Sequence, residues 1–246
     1  MTLPKLKSPI FELKIPSTGK SIKYRPFLVK EQKLLLMALE SQETEEMFRA
    51  IKQIINNCAV DEIDVDDLPM FDLEYFFLRL RAKSIGETID LKLKHNDGKN
   101  SKGVECSHVT SQTLNLLEVE VQKEEGHTNK IIIDDESKVG VVLRYPTVAL
   151  ANRLQQLGPQ NQIDSVVSVI VESIDYIFDA ENVYPASEST KEELMAFIND
   201  LSQEQFGKLA QFFNSMPKLK HVVKWKCEGC GASDKVEMEG MANFFG

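Results

Sequence analysis

The sequence predicts a mixed α+β protein. Of its 246 residues, 42% are hydrophobic and 27% are charged, which is the composition of an ordinary globular chain with one large or two small domains. Short alternating segments separated by turn residues indicate β-hairpins, and longer segments with apolar residues at helical spacing indicate helices. Both kinds of segment occur in both halves of the chain. We therefore expect each half to contain helices and antiparallel strands.

The first half is predicted to run from a hairpin through three helices to a strand pair. Residues 10–25 alternate around "IPSTGKS", in which Gly19 supplies the turn. An acidic linker, "AVDEIDVDDLP", precedes the third helix. Apolar spacing in the second helix places Cys58 on the buried face, so we expect a core thiol there. The predicted helices are "LVKEQKLLLMALES" (28–41), "EEMFRAIKQIINNC" (45–58) and "MFDLEYFFLRLRAKSIG" (70–86), and "TIDLKLKH" (88–95) is the strand that follows.

The second half repeats this order. "KIIIDDESKVGVVLRYP" predicts a hairpin, "TVALANRLQQLG" and "DSVVSVIVESIDYIF" follow, and a second acidic linker leads to two helices and the strand "HVVKWKC". We infer two divergent α+β repeats of the form hairpin, helices, strand pair, joined by a zinc-knuckle site. The repeats are 1–125, with hairpin loop 95–108, and 126–246, ending in the Cys-x-x-Cys hairpin. Chance similarity between two α+β segments is the alternative, because short hairpin-helix patterns are common.

A metal site is predicted where the two halves correspond. Cys227 and Cys230 in "KCEGCG" stand between two predicted strands, and a glycine after Cys-x-x-Cys suits a turn that points both sulfurs inward. Aligning "LKLKH" with "VKWKC" places His95 opposite Cys227 and places Cys106, or His108, opposite Cys230. We therefore expect a structural Zn²⁺ held by Cys227, Cys230, Cys106 and either His95 or His108. Free thiols at two hairpin tips are the alternative.

Other function classes have less support. A formal charge of −9 argues against a general nucleic-acid binder, and the sequence contains neither a phosphate-binding glycine loop nor a nucleophile-base motif. We predict that the chain is not an enzyme and that it binds neither nucleic acid nor membrane. Two alternatives stay open. One is a zinc-ribbon-bearing regulatory or nucleic-acid-binding module, for which Lys92, Lys94, Lys224 and Lys226 would supply local positive charge. The other is a thiol redox protein that uses the Cys-x-x-Cys pair.

Three segments resemble a known family. They are "YRPFLVKEQKLLLMALES" (24–41), "FDLEYFFLRLRAKSIGE" (71–87) and "KWKCEGCG" (224–231). They are similar to the baseplate hub and hub-assembly proteins of T-even-type contractile-tail bacteriophages. The resemblance implies a hub component, or a chaperone that assembles the hub, whose partners are other hub proteins. It also implies a location in the host cytoplasm during assembly or in the virion tail baseplate.

An assembly role requires exposed apolar contact surfaces. We expect Phe244 and Phe245 at the C-terminal end, and the surface around Tyr24 to Phe27, to contact neighbouring proteins.

Overall fold

The fold is described from a computed structural model, which covers residues 6–41, 43–157 and 162–244. These residues contain seven α-helices and eleven β-strands. The helices are α1 Val29–Ser41, α2 Thr44–Cys58, α3 Met70–Ser84, α4 Val148–Leu157, α5 Gln162–Ser173, α6 Lys191–Asn199 and α7 Gln203–Asn214. The strands are β1 Phe11–Lys14, β2 Ser21–Tyr24, β3 Thr88–Leu93, β4 Thr110–Asn115, β5 Glu120–Gln122, β6 Lys130–Asp134, β7 Val139–Leu143, β8 Ile174–Phe178, β9 Val183–Pro185, β10 Lys218–Lys226 and β11 Ser233–Glu239.

Contacts divide the chain into two compact units. The first unit comprises residues 1–65, 71–122 and 218–246, and the second comprises 66–70 and 123–217. This division differs from the two predicted repeats, because β10 pairs with β5 through Leu219 and Val121. That pairing places the hairpin of the second predicted repeat in the same compact unit as the first repeat. The duplication itself concerns ancestry and stays a prediction.

The first unit is built around α3. This helix is buried on most of its circumference: Leu73, Phe76, Phe77, Leu78 and Leu80 are fully inaccessible to solvent. A helix that is apolar on more than one face is covered from several sides, here within a unit that contains three small antiparallel sheets. The sheets are β1-β2, β3-β4 and β11-β10-β5.

The β1-β2 hairpin is tied to α3 by a buried carboxylate. Asp72 lies in the first turn of α3 and is fully buried. It accepts hydrogen bonds from the backbone N–H of Ser17, at 3.1 Å, and from the Ser17 hydroxyl. The predicted turn at Gly19 is confirmed, since this residue has φ +69° between paired strands. Ser17 and Asp72 therefore fix the turn against the start of α3.

Cys58 and the start of α1 share a buried polar cluster. Cys58 is inaccessible to solvent, as predicted, and burial raises the pKa of its thiol to about 11. Arg25 pairs with the buried Glu31 at 3.1 Å. The Glu31 carboxylate also accepts the backbone N–H of Leu28 at 2.8 Å, and so caps the first turn of α1. The Arg-Pro-Phe turn is therefore a structural device that starts a helix.

The second unit packs helices on one four-stranded antiparallel sheet, in the order β6-β7-β8-β9. Its core combines residues of β7 with residues of α5, α6 and α7. Gly140 in β7 is required for close approach, because a Cβ at this position would lie 2.3 Å from Phe178 Cζ. The buried members of this core are Ile133, Val141, Leu143, Ile170, Val171, Ile174, Leu194, Ile198, Leu209 and Phe212.

The mixed helix and sheet content is consistent with the predicted α+β class. The predicted hairpins and the helices α1, α2, α3, α4, α6 and α7 are present, with ends that differ by a few residues. The second half has two strands, β8 and β9, that extend its hairpin into the four-stranded sheet. In the first half, by contrast, the β1-β2 hairpin forms a two-stranded sheet of its own.

The prediction of exposed contact residues is wrong for Phe244, Tyr24 and Phe27, whose side chains are buried. Phe244 is fully buried, and it ends a short 3-10 helix, Met241–Phe244, that follows β11. Tyr24 and Phe27 are 3% and 8% exposed, and the Tyr24 ring packs on Phe76. These aromatic side chains belong to the core of the first unit. Phe245 lies outside the described residues.

In the described part of the chain, no helix combines the length and the apolar character needed to span a membrane.

Candidate metal centre

Two hairpin ends of the first unit meet at one point. His95 follows β3 and Cys106 precedes β4, so the loop between these strands supplies two side chains. Cys227 follows β10 and Cys230 precedes β11, so the second hairpin supplies two more. One ligand atom from each of these four residues lies within 4.8 Å of all the others. The structure thus brings together four of the five residues predicted to bind metal.

Two of the separations between the four donors are those of a tetrahedron around one ion. Zn²⁺ binds thiolate sulfur at about 2.3 Å and imidazole nitrogen at about 2.0 Å, so two tetrahedral ligands stand about 3.5–3.8 Å apart. The sulfurs of Cys106 and Cys227 are 3.7 Å apart. The Cys230 sulfur is 3.4 Å from His95 Nε2. A disulfide requires about 2.05 Å between sulfurs, so the spacing fits shared coordination better than a cystine.

His95 is oriented by its neighbours. Its ring is buried and lies against the Trp225 indole, with centroids 4.9 Å apart. Its Nδ1 lies 3.0 Å from Asp234 Oδ2 and donates its proton to that carboxylate, which leaves Nε2 on the side of the cysteine sulfurs. Asp234 raises the pKa of His95 to about 9. Such a carboxylate-histidine pair is the usual support of a metal-binding imidazole.

Asn100 organises the loop between His95 and Cys106. Its side-chain oxygen accepts the backbone N–H groups of Lys102 and Val104, each at 3.0 Å. Its side-chain N–H₂ donates to Cys230 Sγ at 3.5 Å, and this bond, together with the backbone N–H of Ala232 and the His95 ring, lowers the pKa of the Cys230 thiol to about 6. The backbone N–H of Cys230 likewise lowers the pKa of Cys227. Stabilised thiolates are the form that binds metal.

The Cys-x-x-Cys turn needs both of its glycines. Gly231 has φ +68°, a left-handed conformation, and its N–H donates to the Cys227 carbonyl at 2.9 Å. Gly229 is needed for a different reason, since a Cβ there would lie 2.6 Å from His108 Cβ.

His108 is the predicted ligand that the structure leaves outside the group. It is exposed, and its Nε2 lies 3.8 Å from the Glu228 carboxylate. Of the two histidines, His95 is therefore the one that lies among the three cysteines in this geometry. Sequence reasoning missed Asp234 and Asn100. The polar "NDGKN" and "GASD" segments carry these residues, but only the fold shows that they reach the ligands.

The four donors form a set that can hold a metal with four protein ligands. Catalytic zinc sites keep one coordination position for water, whereas structural sites fill all four with protein ligands. Three cysteines and one histidine are a common structural set. The chemistry that this arrangement supports is a cross-link between the β3-β4 and β10-β11 hairpins.

The family of the chain follows from its sequence as a whole. The model of the T4 bacteriophage base plate protein family matches residues 8–246, which include the second compact unit, nearly all of the first, and all four clustered residues. The chain belongs to this family. No match was found among curated proteins or among solved structures. This baseplate protein is therefore placed in the tail of a T4-type phage, among other baseplate proteins.

Proposed function

We propose that this baseplate protein acts in the central hub, as a hub component or as a factor that assembles the hub, through protein–protein contacts. The family match over residues 8–246 carries the proposal. The closed character of the cysteine-histidine cluster supports a structural role rather than turnover.

Recovery of the tagged chain from infected cells tests this role. We expect other baseplate hub proteins to be recovered with it, identified by mass spectrometry. Quantification in purified virions separates a retained subunit from a transient factor, because only the former persists at a fixed number of copies per tail. Recovery of nucleic acid without baseplate proteins would overturn the proposal and favour the zinc-ribbon nucleic-acid-binding alternative.

We also propose that a structural Zn²⁺ is bound by His95 Nε2 and by the sulfurs of Cys106, Cys227 and Cys230. The ligand spacing of a tetrahedral site and the Asp234 support of His95 favour this assignment. When bound, the ion would supply coordination bonds that hold the two hairpins together, and its binding would contribute to the folding free energy of the first unit.

Metal analysis of the purified chain tests the zinc proposal. We expect one zinc per chain, and X-ray absorption should show three sulfurs at about 2.3 Å and one nitrogen at about 2.0 Å. His95→Ala should lose metal, whereas His108→Ala, the matched control on a nearby exposed histidine, should retain it. Cys227→Ser should lose metal and lower the melting temperature. Equal loss from both histidine variants, or full stability without metal, would contradict the assignment.

Repeating the recovery from infected cells with a chelator connects the two proposals. If zinc holds a contact surface in shape, the chelator should release the hub partners. Recovery of the same partners with the chelator would show that the contacts do not depend on zinc, and it would leave the hub proposal intact.

We propose, finally, that the repeats 1–125 and 126–246 descend from one duplicated unit. Each hairpin, β3-β4 and β10-β11, carries two cluster residues at its end, which supports this origin. Superposition of the two hairpins in an experimental structure provides the test. Two ligand positions that fail to coincide would remove the main support for duplication.

A further inference from the structure

Helix α1 has an apolar outward face. Its inner side, which includes Leu35 and Ala38, is buried. On the outward side Val29 and Leu36 are 68% and 50% exposed, and since they are seven residues apart they lie on one stripe of the helix surface. Leu39, 44% exposed, lies between this stripe and the buried Leu35, and Met37, 67% exposed, lies on the other edge of the outward side. Single exposed apolar residues are ordinary, but four on one short helix indicate a contact surface.

Two opposite charges flank this stripe. Lys33 and Glu40 are both exposed and are seven residues apart, so they lie on the same flank, about 10 Å apart along the axis. Neither Lys33 nor Glu40 forms an ion pair with another of the described residues. Their distance along α1 is too great for a direct pair within the helix, since helical pairs join residues three or four apart. The flank therefore has a basic half and an acidic half.

This charge order complements itself when the helix is reversed. If two copies pack antiparallel about a two-fold axis between Leu36 and Met37, Lys33 of each copy stands at the level of Glu40 of the other. In a parallel pair the two-fold axis would place the two flanks on opposite sides of the interface, and no Lys33–Glu40 pair would form. Because the axis generates every contact twice, the reversed arrangement forms two Lys33–Glu40 pairs and places Leu36 of each copy at the level of Met37 of the other.

We propose that the outward face of α1 is an interface between two copies of this protein, packed antiparallel. A helix of 13 residues is about 20 Å long, which is short for a standard interface. The association is accordingly reversible and depends on concentration. It goes beyond the hub role and does not involve the metal cluster.

Charge reversal tests the arrangement in the full-length protein, with sedimentation equilibrium over a concentration series. Lys33→Glu and Glu40→Lys should each weaken self-association about tenfold or more, since each replaces two attractive pairs by two repulsive ones. The double variant should associate as the parent does. An equal mixture of the two single variants should form a heterodimer at least as tight as the parent dimer, because an acidic flank then meets a basic one.

The charge-reversal variants are expected to keep helix α1 folded, and control variants are available. Glu40→Lys puts a cation near the helix C-terminus and Lys33→Glu puts an anion in the N-terminal half, so neither opposes the helix dipole. Leu36→Glu should abolish self-association, whereas Val183→Glu, at a 60% exposed valine in the second unit, should leave it unchanged. A monomeric parent at all concentrations, a dimer that α1 changes do not affect, or a mixture that stays monomeric would each overturn the proposal.

Discussion

Replacement of Asp72 by asparagine is expected to stabilise the protein near neutral pH and to have little effect near pH 4. Burial raises the pKa of Asp72 from its ordinary 3.8 to about 6, although the two hydrogen bonds from Ser17 act in the opposite direction. The native state therefore holds this proton between pH 4 and pH 6, and the unfolded state releases it. The stability that the group contributes is present at low pH and is lost as the pH rises through the folded-state pKa.

The size of the effect follows from the two pKa values. Each unit between them is worth about 1.4 kcal/mol, so a rise from 3.8 to about 6 corresponds to about 3 kcal/mol. The asparagine side chain is nearly isosteric with the protonated acid and carries no charge to bury. The free energy of unfolding of Asp72→Asn, minus that of the parent, should therefore increase by about 3 kcal/mol between pH 4 and pH 7.

Urea denaturation of both proteins at several pH values, in one buffer series, measures this difference. Asp134→Asn is the matched control, because the Ser137 hydroxyl lowers the pKa of Asp134. Since that pKa lies below the ordinary 3.8, both states of Asp134 are largely ionised above pH 4, and its difference curve should be nearly flat between pH 4 and pH 7. The stability that the Asp134 carboxylate contributes should be lost only as the pH falls below about 4. A flat difference curve for Asp72→Asn, or one that falls with pH, would refute the conclusion that burial raises the pKa of Asp72.

Three further substitutions test packing and capping by denaturant unfolding. Gly140→Ala should cost about 1–3 kcal/mol by overpacking against Phe178, and an unchanged midpoint would mean that the ring moves aside freely. Phe244→Ala should cost about 3–5 kcal/mol, because its side chain is fully buried; a loss below about 1 kcal/mol would place this ring outside the core. Glu31→Ala should cost about 1–3 kcal/mol, and Glu31→Gln less, because glutamine can still accept the Leu28 N–H. Equal losses would show that the charge, and not the cap, matters.

Much of the local structure could be predicted from the sequence. Hairpins and helices depend on neighbours a few residues away, and the Gly19 turn and the apolar spacing around Cys58 show such dependence directly. The convergence of His95 with the Cys-x-x-Cys turn was also predictable, because the two strands before them have similar sequences and each is followed by a side chain that can bind metal. These features could be read without knowing how distant segments meet.

The remaining features depend on distant contacts. The pairing of β5 with β10 joins residues about a hundred positions apart, and a three-residue strand has too weak a local signal to be recognised. The burial of Phe244 was likewise not predictable, because an apolar pair such as Phe244-Phe245 is compatible with docking on the same chain or on another. Asn100 and Asp234 contact ligands across more than a hundred residues of sequence. Side chains of this kind acquire their role only in the folded unit.

The first unit is interrupted in sequence by the second, so it can be completed only late in translation. Its central strand, β10, is translated only after the whole of residues 123–217, so β5 has no partner and the loop at His95 and Cys106 lacks half of its cluster until late in translation. The second unit, by contrast, is almost continuous in sequence and can fold while the ribosome is still at work. A nascent chain stalled before β10 should therefore carry a protease-resistant segment from residue 123 onwards beside a protease-sensitive N-terminal part.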